Sequence, residues 1–424
     1  MSKYKKSEIP TLIKLIGKQA KASSIKLAST PTEEKNRVLE LAATYIDENK
    51  KYIFAENAKD MNSAKKRGLS RAMLDRLYLD ESRIIDMSNT LINIVELTDP
   101  VGTIIEKWNR PNGLSIQCVR APIGVISVIF ESRPNVTVDA AALGLKAGNA
   151  TILRCGSESY HSCNAIMKSF NSALKNVCLP EHSVQLVPTQ DRLAIDEILG
   201  LDCYIDLVIP RGGKSLIKKI SSNCKIPLLK HLEGLCHTYI HESADREIAR
   251  SVTFNAKMRR PGICGATETL LVDKSIAKAV LPSIFDDLIE AGCEVRGDIM
   301  TSKLDSRIKL ATNSDWNTEY LDNIISVRQV DGIEQALLHI QKHGSQHTDS
   351  IIASNKTAAE TFLKRVDSAI VMVNTSTQFA DGGEFGMGAE MGIGTGKLHA
   401  RGPVGLQQLT SMKYLVRGTG QVRP

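Results

Sequence analysis

The 424-residue chain lacks the marks of several protein classes. Its nine cysteines include no C-x-x-C pair, and its histidines form no H-E-x-x-H pattern. That argues against a zinc cage, a dithiol redox site and a metalloprotease, so no metal is expected. Aromatic residues make up only 4% of the chain, and the basic residues behind its net charge of +7 are dispersed. A nucleic-acid surface needs a concentrated basic face with stacking aromatics, and none is visible. No apolar run approaches the ~20 residues needed to span a bilayer. The segment Met1–Pro10 is polar and lysine-rich, without the apolar core of a secretion signal. No G-x-G-x-x-G follows a strand pattern, and no P-loop lysine motif occurs. Internal repeats and low-complexity tracts are missing too. Scattered thiols, odd in number and without a secretion signal, point to reduced cysteines and a cytoplasmic location.

What remains is an ordinary globular composition. Hydrophobic residues account for 42%, and the mean hydropathy is -0.13. A chain this long can bury a large core and is expected to form two or more domains. The modest positive charge suits a solvated surface and anionic small ligands.

The first hundred residues read as helical. Thr30-Pro31-Thr32-Glu33 fits a capping box with Thr30 as N-cap. Apolar residues then recur at helical spacing from Val38 to Ile46 and from Ile84 to Val95. Short β-type runs flank Asn112-Gly113, a hairpin signal. Its open edges make the hairpin a candidate for pairing with another subunit, and Lys413–Arg417 reads as a strand that could join it. Strand and helix patterns alternate from Val125 onward, with strands at 125–130, 151–154, 184–187 and 205–209. A second series follows at 238–240, 269–272, 324–327, 350–353 and 369–373. This rhythm predicts doubly wound parallel sheets, the first with ligands at the carboxyl ends of its strands.

Two stretches carry chemistry. In Asn255–Val272 a cysteine, Cys264, follows a Pro261-Gly262 turn and precedes an apolar β-type run. Lys257, Arg259 and Arg260 lie just upstream, and nearby cations favour the thiolate. Cys264 is therefore the candidate nucleophile, with a buried structural cysteine as the alternative. The second stretch, Asp381–Gly396, is dense in glycine, with Glu384 and Phe385 embedded in it. Glycine at this density lets a backbone approach a ligand closely or take positive φ.

Three segments together carry a resemblance: Ile126–Thr137 (ISVIFESRPNVT), Asn255–Cys264, and Gly386–Glu390 with Lys397–Pro403. They resemble the gamma-glutamyl phosphate reductase family within the aldehyde dehydrogenase superfamily, over nearly the whole chain. The resemblance implies an α/β, aldehyde dehydrogenase-like fold: two doubly wound parallel-sheet domains plus a β-hairpin oligomerisation arm. The expected divisions are residues 1–100 and 121–235 for the nucleotide-binding domain, 101–120 and 405–424 for the arm, and 236–375 for the catalytic domain. The glycine-rich segment 376–404 is expected to return to the cofactor domain.

It also implies NADPH-dependent reduction of L-glutamyl 5-phosphate to L-glutamate 5-semialdehyde through a cysteine thioester, in proline biosynthesis. Another acyl-phosphate or CoA-linked aldehyde dehydrogenase, or a non-catalytic binding protein of the same fold, stays open. Under the resemblance Cys264 is the nucleophile and Asn135 the oxyanion donor. Arg154, Gly156 and Ser157 fall near the adenine ribose, where Arg154 and Ser157 would face the 2′-phosphate. Arg211, Gly212 and Gly213 fall near the pyrophosphate, and Glu384 and Phe385 beside the nicotinamide ribose. Arg133 and Arg260 are candidates for the anionic groups of the substrate. The water-activating glutamate of oxidative relatives falls by alignment near His231, with Glu233 as the alternative occupant. Gly265 and Gln378 depart from the family pattern, which has asparagine and arginine there. A homo-oligomer and association with a glutamate kinase are the expected partners.

Overall fold

A computed structural model describes residues 4–230 and 232–423. His231, where the superfamily base aligns, lies outside them. The chain divides into two compact units. The first comprises residues 1–230, 386–392 and 404–424, and the second residues 231–385 and 393–403. The glycine-rich segment is thus shared between the units, and the arm belongs to the first.

In the first unit, helices Ile9–Leu27, Thr32–Glu48, Lys50–Lys66 and Glu81–Glu96 account for most of the N-terminal region. The capping box at Thr30 is not made. The helix opens at Thr32 with Pro31 as N-cap, and Thr30 Oγ1 donates instead to Lys26 O, 3.1 Å away. The preceding helix runs almost to this point, so its last carbonyls are the nearer partners.

Strands β1 (Ile104–Asn109) and β2 (Ser115–Pro122) form the antiparallel hairpin. β3 (Val125–Phe130), β4 (Ala150–Cys155), β5 (Val184–Leu186) and β6 (Leu207–Arg211) form a parallel sheet in the order β5-β4-β3-β6. Every residue of β3 and β4 is buried. That is why these strands read as continuous apolar runs rather than alternating ones: a parallel strand is covered on both faces. The chain steps outward from β3 to β5 and then returns to the other side of β3, so the strand order reverses between β3 and β6.

The second unit holds a seven-stranded parallel sheet. Its strands are β7 (Cys236–Ile240), β8 (Thr267–Asp273), β9 (Glu294–Gly297), β10 (Lys309–Leu310), β11 (Ile324–Val330), β12 (Thr348–Ile352) and β13 (Ile370–Val373). They lie in the order β10-β9-β11-β8-β7-β12-β13. One core beneath it packs Leu270, Val272 and Val327 against Leu281, Phe285 and Leu288 of helix Lys274–Glu290. The short strands β14 (Ile393–Gly394) and β15 (Gly402–Pro403) pair with each other. Finally β16 (Thr410–Arg417) pairs antiparallel with β2, giving the arm three strands.

Candidate active site

The thiol site lies in the second unit. Helix Arg246–Met258, capped by the Asp245 carboxylate on Ile248 N–H, ends in the turn that carries Cys264. Ala266 N–H closes that turn on Ile263 O at 3.0 Å. Cys264 is half-exposed and Gly265 is buried. The backbone of Gly234 lies directly against Cys264: a β-carbon there would sit 2.0 Å from Cys264 O and 2.7 Å from its Cα. Gly234 is held in turn by its N–H on Glu319 Oε1 (2.8 Å).

Three strand ends meet at this turn. Cys236 opens β7, Cys264 stands just before β8, and His347 immediately precedes β12. β8, β7 and β12 are parallel neighbours, so the cluster sits at their amino ends. The Cys236 thiol donates to Cys264 O at 3.1 Å and lies 3.6 Å from His347 Nδ1. Burial pushes the Cys236 thiol up to about 11. His347 is fully buried, with Nδ1 2.9 Å from Thr348 Oγ1. Burial works against its charge, yet the neighbouring sulfurs of Cys264 and Cys236 hold its pKa well above the ordinary histidine value.

Of the three upstream cations, one departs from expectation. Lys257 is fully buried and pairs with Glu268 at 2.7 Å, so its charge is spent inside the fold. Burial, opposed by Lys257, raises the Glu268 carboxyl to about 7. Arg259 and Arg260 are exposed. Gln378, which replaces the family arginine, is buried and donates to Ala256 O at 3.0 Å. Glu384 and Phe385 lie on an exposed loop that Asp381 ties down, its main-chain carbonyl accepting from Phe385 N–H at 3.0 Å.

The first unit carries the remaining candidates beyond the ends of β3, β4 and β6. Asn135 is exposed at the start of helix Val136–Lys146 and donates to Asp139 Oδ2 at 3.2 Å. Burial lifts the Asp139 carboxyl to about 7 against the pull of Arg211, the Asn135 hydrogen bond and Arg133. Arg211 reaches Glu390 Oε1 at 4.0 Å. Arg133, Asn135 and Arg211 therefore gather where the strand order reverses. Gly213 is the N-cap of helix Lys214–Asn223, and its N–H donates to Glu131 Oε2 at 3.0 Å. A β-carbon on Gly212 would lie 2.5 Å from that oxygen, so any other residue here would displace the Glu131 side chain.

Beyond β4, Glu158 turns back to accept from Ser132 N–H (2.7 Å) and Oγ (2.9 Å). Arg154 is buried, and its guanidinium donates to Cys155 O (2.7 Å) and Gln190 O (3.1 Å). Ser157 meets a different cation, the exposed Arg67, whose Nη1 and Nη2 lie 3.1 and 3.2 Å from Ser157 Oγ.

Sequence reasoning missed Arg67, Gly234, Cys236, Asp139 and His347. Asp139 was within reach, since it stands four residues after Asn135 on one helix face. The others come together only through tertiary pairing. Among the described residues no cluster of His, Cys, Asp and Glu could hold a metal ion, and no helix is long and apolar enough to cross a membrane.

Comparison with known proteins gives concordant results. The aldehyde dehydrogenase family model matches residues 7–292. The gamma-glutamyl phosphate reductase of Rhodospirillum rubrum is 55% identical over 417 residues, covering 98% of both chains. That of Paramagnetospirillum magneticum is 54% identical and covers 99% of both. Among solved structures, the gamma-glutamyl phosphate reductase of Thermotoga maritima matches with a TM-score of 0.94 at 42% identity, covering 97% of this chain and 100% of that one. An acetylating aldehyde dehydrogenase from Geobacillus thermoglucosidasius, 19% identical, shares the fold with a TM-score of 0.72.

Proposed function

The chain belongs to the aldehyde dehydrogenase family, and from that premise we propose that it reduces L-glutamyl 5-phosphate to L-glutamate 5-semialdehyde with release of phosphate. The observation that carries this reading is identity above half, end to end, with relatives named gamma-glutamyl phosphate reductase.

An acyl phosphate is an activated carbonyl. The Cys264 sulfur attacks it, the C–O bond to phosphate breaks, and a thioester remains on the enzyme. Asn135 and the Cys264 main-chain N–H are the donors we assign to the oxyanion that forms on the way. NADPH, when bound, supplies the hydride that reduces the thioester carbon. Collapse of the resulting thiohemiacetal frees the aldehyde and returns the sulfur. Arg133 and Arg260 are assigned to the anionic groups of the substrate.

The first unit fits an anionic dinucleotide: glycines without side chains at the end of β6, Arg211 beside them, and Arg67 on Ser157. Gly156, Ser157, Gly212 and Gly213 would hold it, Arg154 would shape the ribose side from beneath, and Glu384 with Phe385 would flank the nicotinamide ribose. The arm is assigned to homo-oligomer contacts. Because an acyl phosphate is labile in water, delivery by an associated glutamate kinase is part of the proposal, in a cytoplasmic pathway to proline.

The test runs the reaction backwards. Glutamate semialdehyde, phosphate and NADP should give reduced nicotinamide absorbance, while coenzyme A in place of phosphate should give none. Cys264→Ala should abolish the signal with NADPH binding retained, and the other eight cysteines should each be replaceable within about tenfold. Turnover by Cys264→Ala, or silence of the unmodified enzyme with phosphate, refutes the reading.

A further inference from the structure

We propose that His347 takes the proton of Cys264, so that the resting site holds a thiolate beside a buried imidazolium. This rests on the reading of Cys264 as the nucleophile. The S–H bond of Cys264 breaks and an N–H bond forms on the imidazole; no other reactant is required.

The geometry narrows the choice of partner. His347, Cys236 and Cys264 converge at the amino ends of β12, β7 and β8. A buried imidazolium needs an anion, because removing a charge from water is costly unless it is paired. The nearest carboxylate along the chain, Asp349, is already committed. It accepts from the His237 main-chain N–H at 2.9 Å, lies 2.9 Å from His237 Nδ1, and also accepts from Ser368 Oγ. On its own strand His347 meets the Thr348 hydroxyl, and from β13 the main-chain N–H of Ile370 reaches its carbonyl. The short helix Thr377–Phe379, beside the same strands, carries no ionisable side chain.

Two thiols remain. Burial keeps Cys236 protonated up to about pH 11, and its thiol is used as a donor to Cys264 O. Cys264 is half-exposed and is left as the sulfur that can be anionic. Its charge is also the largest influence holding the His347 proton on, against burial. Of the cations expected for this task from sequence, Lys257 is neutralised by Glu268, and Arg259 and Arg260 are exposed. Cys236 then acts as a spacer whose thiol fixes the Cys264 carbonyl and lies against the ring.

The experiment measures iodoacetamide alkylation of Cys264 between pH 5 and 9, by mass spectrometry of its peptide, in the intact enzyme and in His347→Gln and Cys236→Ala. A free cysteine titrates near ~8.5 and loses about tenfold in thiolate per pH unit below that. The unmodified enzyme should therefore keep reacting well below pH 8. His347→Gln should react at least about tenfold more slowly at pH 6.5 and recover toward the unmodified rate at pH 9. Cys236→Ala, which removes a donor to the Cys264 carbonyl and one sulfur beside the ring, should lower the rate at pH 6.5 by less than His347→Gln does. Superimposable profiles for the enzyme and His347→Gln, or a uniform loss at every pH, overturn the proposal.

A second measurement needs no histidine variant. The difference in thiolate absorbance near ~240 nm between the enzyme and Cys264→Ala should persist at pH 6, and its disappearance below pH 8 overturns the proposal. Turnover separates the two levels. If Cys264→Ala is inactive but the profiles coincide, only the role of His347 falls; if Cys264→Ala turns over, the nucleophile assignment falls.

Discussion

At the scale of the residue, three cations differ in what they are bonded to. Lys257 stands seven positions before Cys264 and is locked to Glu268. Arg154 stands at the strand end expected to face the ribose and is spent on main-chain carbonyls. Arg67, distant in sequence, aims two guanidinium nitrogens at the single hydroxyl of Ser157. One hydroxyl uses a bidentate donor poorly, whereas a phosphate accepts both N–H groups with charge assistance. The 2′-phosphate of NADPH is the group that would draw Arg67 off the serine. Arg67→Ala should cut the preference for NADPH over NADH by at least about tenfold, ~1.4 kcal/mol. The loss should appear in KM for NADPH, with kcat/KM for NADH unchanged within about twofold. Ser157→Glu should narrow or invert the preference by placing a carboxylate against the phosphate. Steady-state kinetics with both cofactors decide the matter: an unaltered KM for NADPH in Arg67→Ala removes Arg67 from the cofactor site.

At the scale of the element, the Cys264 turn is built by three strands whose loops are far apart in sequence, and Gly234 shows how tightly they close. A β-carbon there meets Cys264 main-chain atoms, which cannot rotate away as a side chain could. Gly234→Ala should push the Cys264 turn outward, costing ~1–3 kcal/mol of stability. Misplacement of that order costs up to ~10²-fold in rate, so kcat should fall at least about tenfold. Thermal melts and kcat measured together test this, and a variant with full kcat shows that the turn absorbs the methyl group. The same closure explains what was legible beforehand. β3 and β4, apolar throughout and buried on both faces, could be read to within a residue or two, as could the helices beside them. β9 and β10 were not read, being four and two residues long with too little apolar signal. Cys264 could be found because a turn, a cysteine and a strand are local. Cys236 and His347 could not, because strand pairing alone brings them to it, and periodicity reports only neighbours along the chain.

At the scale of the whole molecule, the arm is a sheet with an exposed apolar face. Along β16, Met412, Tyr414 and Val416 share one face, opposite Ser411, Lys413, Leu415 and Arg417, and an apolar face of this kind normally turns inward. Those three are instead 60%, 61% and 56% exposed. Register places Ile116 and Cys118 of β2 and Trp108 of β1 on the same face, and Trp108 meets the edge of Tyr414 with ring centroids 6.1 Å apart. Both outer strands of the sheet, β1 and β16, also present open edges. An apolar face and two open edges on one small sheet are hard to keep in water, and a second copy of the chain would cover both with matching chemistry. The double variant Tyr414→Lys/Val416→Lys should therefore lower the mass measured by light scattering toward the 46.4 kDa of a single chain. Both side chains point outward from the sheet, so far-UV circular dichroism should not change. A variant that keeps the unmodified mass would show that the arm face is not the interface, and an unmodified enzyme already at 46.4 kDa would refute the oligomer itself.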